Sequence, residues 1–469
     1  MLNYFPKFFT NRAIALYFIA LVAVTLVFLR NSMSMLWMVF GAVEVVGFFY
    51  ISNLLTKKWS KYSAKTFQKR LIYSAVVLRL AWVVFSYFFY IHMNGEPYEF
   101  GSADSHAYNA LGIEGATAFR TGNFNVLQIF GYLQVGDMGY ASYLSVVYLL
   151  TRNSVFIARL LKVIWSAWTV VFVYKLATRN FGEGTGRIAA ILTMLMPNLI
   201  YYCGLHVKET EMVFISLMFL ERADYLLRSK SFNYVNVFVT LLLAFILFTF
   251  RTVLGAVAVF ALISAVIFSS DRVVKWQKRI LVGFWILLAV LVFAGGQIAT
   301  EVEETWENRN INQQAGMEYR AQREGGNVFA KYGTRTLFAP TIFIIPIPSM
   351  VHVVGQENQQ LIHGGNFVKN IMAFFLLFAF ILFIKEKRWR EFTLLEVFML
   401  GYLMVIAFSN FAQSERFHLP TLPIYLMFSA YGISRVTNKT KNYFNWYLVG
   451  LFFIILAWNF IKLAGRGIA

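Results

Sequence analysis

Hydrophobic and polar positions along this chain do not alternate on one face of an element. They separate into long, nearly unbroken apolar runs joined by polar stretches. A helix rising 1.5 Å per residue needs about 20 apolar residues to cross some 30 Å of hydrocarbon. Runs near that length occur at 13–29, 34–55, 71–93, 154–176, 187–204, 211–227, 233–250, 252–269, 280–298, 367–385, 392–410, 418–434 and 445–463. The pattern predicts an all-α polytopic membrane protein of about thirteen transmembrane helices. The first run lacks a small-residue cleavage signature and a second run follows at once, so it is expected to be retained as a helix. An apolar stretch at 140–150 is too short to span comfortably and is expected to lie flat at the membrane surface.

Basic residues cluster in the short connections. KKWSKYSAKTFQKR at 57–70 carries six positive side chains and no acid, which marks it as cytoplasmic. Alternation from that loop puts 179–187, 271–279, 385–391 and the stretch around Lys439 and Lys441 on the same side. Two larger loops, at about 94–153 and 299–366, then face the other way. The second combines a polar half with TLFAPTIFIIPIPSMVHVV, whose prolines forbid one straight helix, and this half is expected to dip into the membrane surface. The chain divides into an N-terminal hairpin with its basic loop (1–70), a transmembrane core holding the first outer loop (71–298), the second outer loop (299–366) and C-terminal transmembrane helices (367–469).

Composition agrees with a lipid environment: of 469 residues, 59% are hydrophobic, 18% aromatic and only 14% charged. The net charge of +19 would suggest nucleic acid in a soluble protein, but here the positive residues sit between apolar runs, where topology explains them. No nucleic-acid partner is expected. The single cysteine, Cys203, excludes an intramolecular disulfide and a Cys-based metal site. RNFGEGTG lacks the Lys-Ser/Thr of a phosphate-binding loop and reads as a connection.

Ionisable residues at the outer ends form the candidate chemistry. In GSADSHAYNALG (101–112), Asp104 is placed to act as a general base, with His106 and Tyr108 beside it; alternatively, Asp104 only caps the helix starting near Ser105. In MPNLIYYCGLHVKETE (196–211), Pro197 ends or kinks a helix, and His206, Lys208, Glu209 and Glu211 share a short turn. Lys208 suits a lipid phosphate and a carboxylate beside it, such as Glu209, could orient it, touch a sugar hydroxyl or hold a metal, or Lys208 simply snorkels with solvated Glu neighbours. In NFAQSERFHLPTLP (410–423), Glu415, Arg416 and His418 open a helix, with Arg416 capable of bidentate phosphate recognition. Arg251, alone between two runs, joins the same anionic site or anchors at the interface. Glu44, Arg79 and Lys162 lie inside predicted helices, where charge is costly unless paired. His352 and His363 show no metal-ligand spacing.

Taken in order, these segments resemble the GT-C superfamily of membrane glycosyltransferases, in particular the protein mannosyltransferase and lipid A aminoarabinose transferase group, glycosyltransferase family 39. Asp104 and Tyr108 in ADSHAY are similar to the acid and tyrosine early in that family's first outer loop. GDMGYASYLSVVYLL (136–150) is similar to its Gly-containing turn and surface-lying helix. ERFHLPTLPIYLMFSAYGI resembles its Arg-aromatic-x-x-Pro-x-x-Pro stretch. Ser105 stands where many relatives have a second acid, and Gly139-Tyr140-Ala141 where they have a proline.

The resemblance implies a GT-C-like fold in the inner (cytoplasmic) membrane, with surface-lying helices in the outer loops and an active site facing outward. It also implies transfer of a hexosyl or pentosyl group from a polyprenyl-phosphate-linked donor to a hydroxyl-bearing acceptor of the cell envelope. Asp104 would be the base, Lys208, Arg416 and Arg251 would hold the donor phosphate, and His106, Tyr108, His206, Glu209, Glu415 and His418 would bind substrate. No cofactor is expected with confidence, and a divalent metal is left open. A polymerase or ligase of lipid-linked polysaccharide is the nearest alternative. A transporter or flippase is the alternative from another class, and it should pair charges near the bilayer midplane.

Overall fold

The computed structural model describes residues 2–229, 233–293 and 296–468, and among them the chain is helical, with a single β-bridge between Ser32 and Val351. The helices are α1 (Lys7–Val27), α2 (Met35–Trp59), α3 (Ala64–Asn94), α4 (Ala103–Arg120), α5 (Val126–Phe130), α6 (Val135–Thr151), α7 (Val155–Phe181) and α8 (Glu183–Leu195). Next come α9 (Pro197–Cys203), α10 (Glu209–Arg228), α11 (Tyr234–Phe250), α12 (Thr252–Phe268), α13 (Trp276–Phe293), α14 (Gln297–Glu307) and α15 (Arg309–Gln322). The last are α16 (Arg335–Thr341), α17 (Glu357–Leu361), α18 (His363–Lys385), α19 (Thr393–Phe408), α20 (Glu415–His418), α21 (Leu422–Ser434) and α22 (Asn438–Ala464).

Among the described residues, α1, α2, α3, α7, α18 and α22 are long and apolar enough to cross a membrane, six in all. Large apolar side chains such as Val22, Leu26, Val43, Phe88, Ile381 and Phe453 point outward along them, which suits a lipid surround and would be unusual in water. The apolar helices α11, α12 and α19 are shorter, at 17, 17 and 16 residues. The run at 187–204 is not one helix. Pro197 has no N–H to continue the ladder, Met196 is extended, and α8 stops at Leu195.

The basic connections are neighbours. Arg187 Nη1 donates to the carbonyls of Trp59 (3.0 Å) and Tyr62 (2.7 Å). Arg390 Nε reaches the Phe268 carbonyl (2.9 Å), and Arg228 Nη2 the Glu391 carbonyl (2.9 Å). Arg side chains thus satisfy carbonyls left open at helix ends while tying together loops that the charge pattern assigns to one side.

The three charges that the sequence places inside helices, Arg79, Lys162 and Glu44, have partners. Arg79 is fully buried, donating from Nε to Ser166 Oγ (2.5 Å) and from Nη1 to the Met194 carbonyl (3.1 Å), with Nη2 3.4 Å from the Thr193 carbonyl. Thr193 is the residue whose acceptor Pro197 cannot fill, so a buried cation repairs the break that proline makes. Lys162 on α7 pairs with Glu211 on α10 at 3.1 Å. Glu44 accepts from the Gly365 N–H (2.9 Å) at the start of α18, where the helix dipole favours a carboxylate.

One expectation is corrected in detail. GDMG is helix, not turn: α6 starts at Val135, earlier than the apolar stretch suggests, and packs against α4, α7 and α11. Its glycines are there for proximity. A β-carbon at Gly139 would lie 2.8 Å from the Thr249 carbonyl oxygen, and one at Gly136 3.1 Å from the Thr252 nitrogen.

The proline-rich half of the second large loop runs irregularly after α16, and a ladder of side chains holds it. Lys369 donates to the Ile345 carbonyl, Asn370 to that of Pro346 (3.0 Å), Tyr425 to that of Phe343 (3.0 Å) and Asn459 to that of Pro348 (3.3 Å). Buried backbone outside a helix needs such partners. Lys369→Met, which strands the Ile345 carbonyl, is expected to cost about 1–3 kcal/mol. Thermal unfolding in detergent measures it; an unchanged Tm would mean that apolar packing alone holds the segment.

Candidate functional site

One large cavity of about 1360 Å³ opens where the two large loops meet the turns α9–α10 and α11–α12, the segment around α20 and the C-terminal end of α22. Asp104, Tyr108, Lys208, Arg251, Glu415 and Arg416 all line it. These residues come from segments that the charge pattern puts on the same side of the membrane.

Helix geometry sorts the residues of α4. Asp104 and Tyr108 are four apart and share a face, whereas His106 is rotated by roughly 200°. His106 accordingly does not line the cavity and pairs with Glu96 at 3.0 Å, both side chains about half-exposed. Asp104 sits in the first turn of α4 but makes no capping hydrogen bond; its carboxylate is bound to the Arg416 guanidinium.

Arg416 Nε also lies 3.1 Å from Glu209 Oε1, and Arg251 Nη2 lies 3.7 Å from the same oxygen. Glu209 is 0% exposed, and neither carboxylate oxygen has an aligned hydrogen-bond donor, so the two guanidiniums hold it by charge alone. Burial opposes the charge on Arg416, but Glu209 and then Asp104 outweigh it and hold the guanidinium above its ordinary range. Arg251 Nη1 donates to Tyr402 Oη (2.9 Å).

Lys208 stands at the start of α10. Its Nζ is 2.5 Å from Asp137 Oδ1 and 2.8 Å from the Gly136 carbonyl, so α6 must pack closely for this contact to form. Burial pulls the Lys208 ammonium below its usual range, against the field of Asp137. Tyr108 Oη approaches Asp137 Oδ1 at 3.4 Å. Asp137, inside GDMG, is a cavity residue that the sequence reading passed over because it took that stretch for a turn.

Glu209, His206 and His418 join His106 outside the lining. His206 is buried, 3.1 Å from Tyr148 Oη, and stacks on that ring. His418 Nδ1 is 3.0 Å from Lys369 Nζ and its Nε2 2.8 Å from the Ala412 carbonyl, a bridge that props up the cavity wall. Assigned to substrate from sequence, all three histidines make protein contacts instead. Glu415 accepts from Tyr202 Oη (3.0 Å).

Among the described residues no group of three His, Cys, Asp or Glu side chains could hold a metal ion. His352 lies 3.5 Å from Gln360 Oε1, and His363 is taken up by Tyr17 Oη (2.9 Å) and the Gln360 carbonyl (2.6 Å).

Away from these charges the wall is apolar, built by Leu337, Phe338, Ile345 and Ile347 facing Ile454, Trp458 and Ile461 of α22. Arg320, Arg323, Lys462 and Arg466 line the same cavity. The sequence reading missed all four, because the helices that bring them together are far apart along the chain. Compared with known proteins, the chain matches no family model and no curated protein.

Proposed function

We propose that this protein transfers a sugar from a polyprenyl-phosphate donor to a hydroxyl acceptor of the cell envelope, in a cavity on the extracytoplasmic side of the inner membrane. The observation that carries this reading is one cavity in which a carboxylate, Asp104, stands beside cations from three separate turns, with an apolar wall adjoining them. A polyprenyl-phosphate sugar has matching parts: an apolar chain, an anion and a bond to be broken beside the anion.

In this reading the acceptor hydroxyl approaches the anomeric carbon while Asp104 takes its proton. The new C–O bond forms as the bond from that carbon to the phosphate oxygen breaks, and the carrier phosphate leaves with both electrons of the broken bond. Arg416 and Arg251, with Lys208, meet the growing negative charge in a site of low dielectric. Before the donor binds, Arg416 occupies Asp104. An incoming phosphate competes for Arg416, and its arrival releases the base.

The pair Lys162–Glu211 is the feature closest to a transporter's buried charges. Glu211 is only two residues into α10 and Lys162 seven residues into α7, about 10 Å along that helix. The pair thus lies toward the cavity end, which favours the transferase reading over translocation.

The phosphate assignment is tested by donor binding. Lys208→Ala and Arg416→Ala are each expected to weaken binding of a polyprenyl-phosphate sugar by about tenfold or more, as charge-assisted contacts of roughly 1.5–3 kcal/mol require. Wild-type affinity in both variants would remove these residues from the donor site.

A further inference from the structure

The cations at the two ends of the cavity are in different electrostatic states. Lys208, Arg251 and Arg416 are already balanced by Asp137, Glu209 and Asp104. Arg320, Arg323, Lys462 and Arg466 make no ion pair among the described residues. Glu415 lies close enough to act on Lys462, but Tyr202 holds its carboxylate.

The clustering is built into the backbone. The chain leaving α15 is fastened to the end of α22: Asn327 Nδ2 donates to the Ile461 carbonyl (3.0 Å) and the Val328 N–H to the Gly465 carbonyl (2.8 Å). Gly465 permits this, since a β-carbon there would lie 1.8 Å from Asn327 Oδ1. Arg320 lies in the last turn of α15 with Arg323 at its extended C-cap, and Lys462 lies in the last turn of α22 with Arg466 just past its end; all four line the cavity.

Lys462 is only 6% exposed, and its neutral partners are Ser349 Oγ and Gln359 Oε1, both at 2.7 Å. Arg466 Nη1 donates to the Lys462 carbonyl (2.6 Å), while its buried Nε has no partner at all. Burial and then Arg323 make charge costlier on both Arg320 and Arg466. A guanidinium nonetheless stays protonated, so the cluster cannot shed its charge by titration. Like charges gathered without ion-pair partners are costly, and an anion between them removes that cost.

We propose that Arg320, Arg323, Lys462 and Arg466 form a second anion-binding pole of the cavity, which takes a phosphate or carboxylate group distinct from the one handled at Arg416. Its role rests on the transferase reading: the donor phosphate occupies one pole, and an anionic group on the acceptor docks at the other. The acceptor class is then a hydroxyl compound bearing a phosphate or a carboxylate. The existence of the pole does not depend on that reading.

Binding of labelled inorganic pyrophosphate to the full-length protein in zwitterionic lipid nanodiscs tests it. The variant Arg320→Gln/Arg323→Gln/Arg466→Gln is expected to lose at least tenfold in affinity, because the phosphate-site cations that remain, Lys208 and Arg416, are already paired with Asp137 and Asp104. Arg323→Gln alone, at an exposed position, should give a partial loss without disturbing the fold. Arg466→Lys in the Arg320→Gln/Arg323→Gln background should bind better than the triple variant. Wild-type affinity in the triple variant overturns the proposal.

Repeating the titration with phosphatidylglycerol in the nanodiscs separates the sources of the anion. Competition seen in wild type and absent from the triple variant assigns the pole to a lipid headgroup, and no competition assigns it to a freely diffusing anion. If sugar transfer by wild type proves absent while pyrophosphate binding behaves as stated, the transferase reading fails and the anion pole stands.

Discussion

Asp104→Asn is expected to lower sugar transfer by about 10²–10⁴-fold, the range typical of losing a positioned general base, while donor affinity changes by no more than a few fold. Asn keeps the shape of the side chain but cannot take a proton at neutral pH. The same change releases Arg416 from the carboxylate it contacts, so the donor phosphate should meet less competition. The combination of falling turnover with equal or tighter donor binding is the signature, because a variant that merely damaged the fold would lose both. Release of polyprenyl phosphate from a labelled donor, in the presence of a hydroxyl acceptor, measures turnover. Unchanged turnover would remove Asp104 as the base.

The second large effect is on stability. Lys162 and Glu211 are 1% and 4% exposed and lie 3.1 Å apart, and Lys162 also donates to the Val207 carbonyl in the α9–α10 turn. Lys162→Met leaves Glu211 as a buried, uncompensated carboxylate, for which about 3–5 kcal/mol of destabilisation is expected. It should appear as a lower Tm in detergent. The double variant Lys162→Met/Glu211→Gln should recover most of the loss, since it removes both charges together. Additive losses in the double variant would mean that the two side chains do not stabilise each other.

Both predictions turn on contacts between helices distant in sequence, and this is where legibility from the sequence ran out. That Lys162 lay in a helix was readable; that Glu211 was its partner was not, since 49 positions separate them and no local spacing links them. Arg79 and Glu44 were equally visible as costly charges, but apart from Ser166 their partners are backbone groups at helix ends, such as the Met194 carbonyl and the Gly365 N–H. A backbone atom carries no mark in a sequence. The three histidines present the opposite case. A titratable ring near a helix end attracts a functional reading, whereas His206 and His418 spend their nitrogens on Tyr148, Lys369 and the Ala412 carbonyl.

The sequence by itself determined the all-helical architecture and the placement of its apolar runs, because lipid demands an unbroken apolar stretch with its backbone bonds closed within the segment. It also marked Pro197 as an end or a kink and put the basic loops on one side. Only the tertiary structure decided that α6 begins at Val135 against the α11–α12 turn. It alone decided that Asp104 and Tyr108 face the cavity while His106 does not, that three cations are matched by Asp104, Asp137 and Glu209, and that four others are left unmatched beside α22. The physical reason is range. Hydrophobic runs and prolines act on their own turn of chain, whereas the charge state of a cavity is a sum over side chains that meet only after the helices have packed.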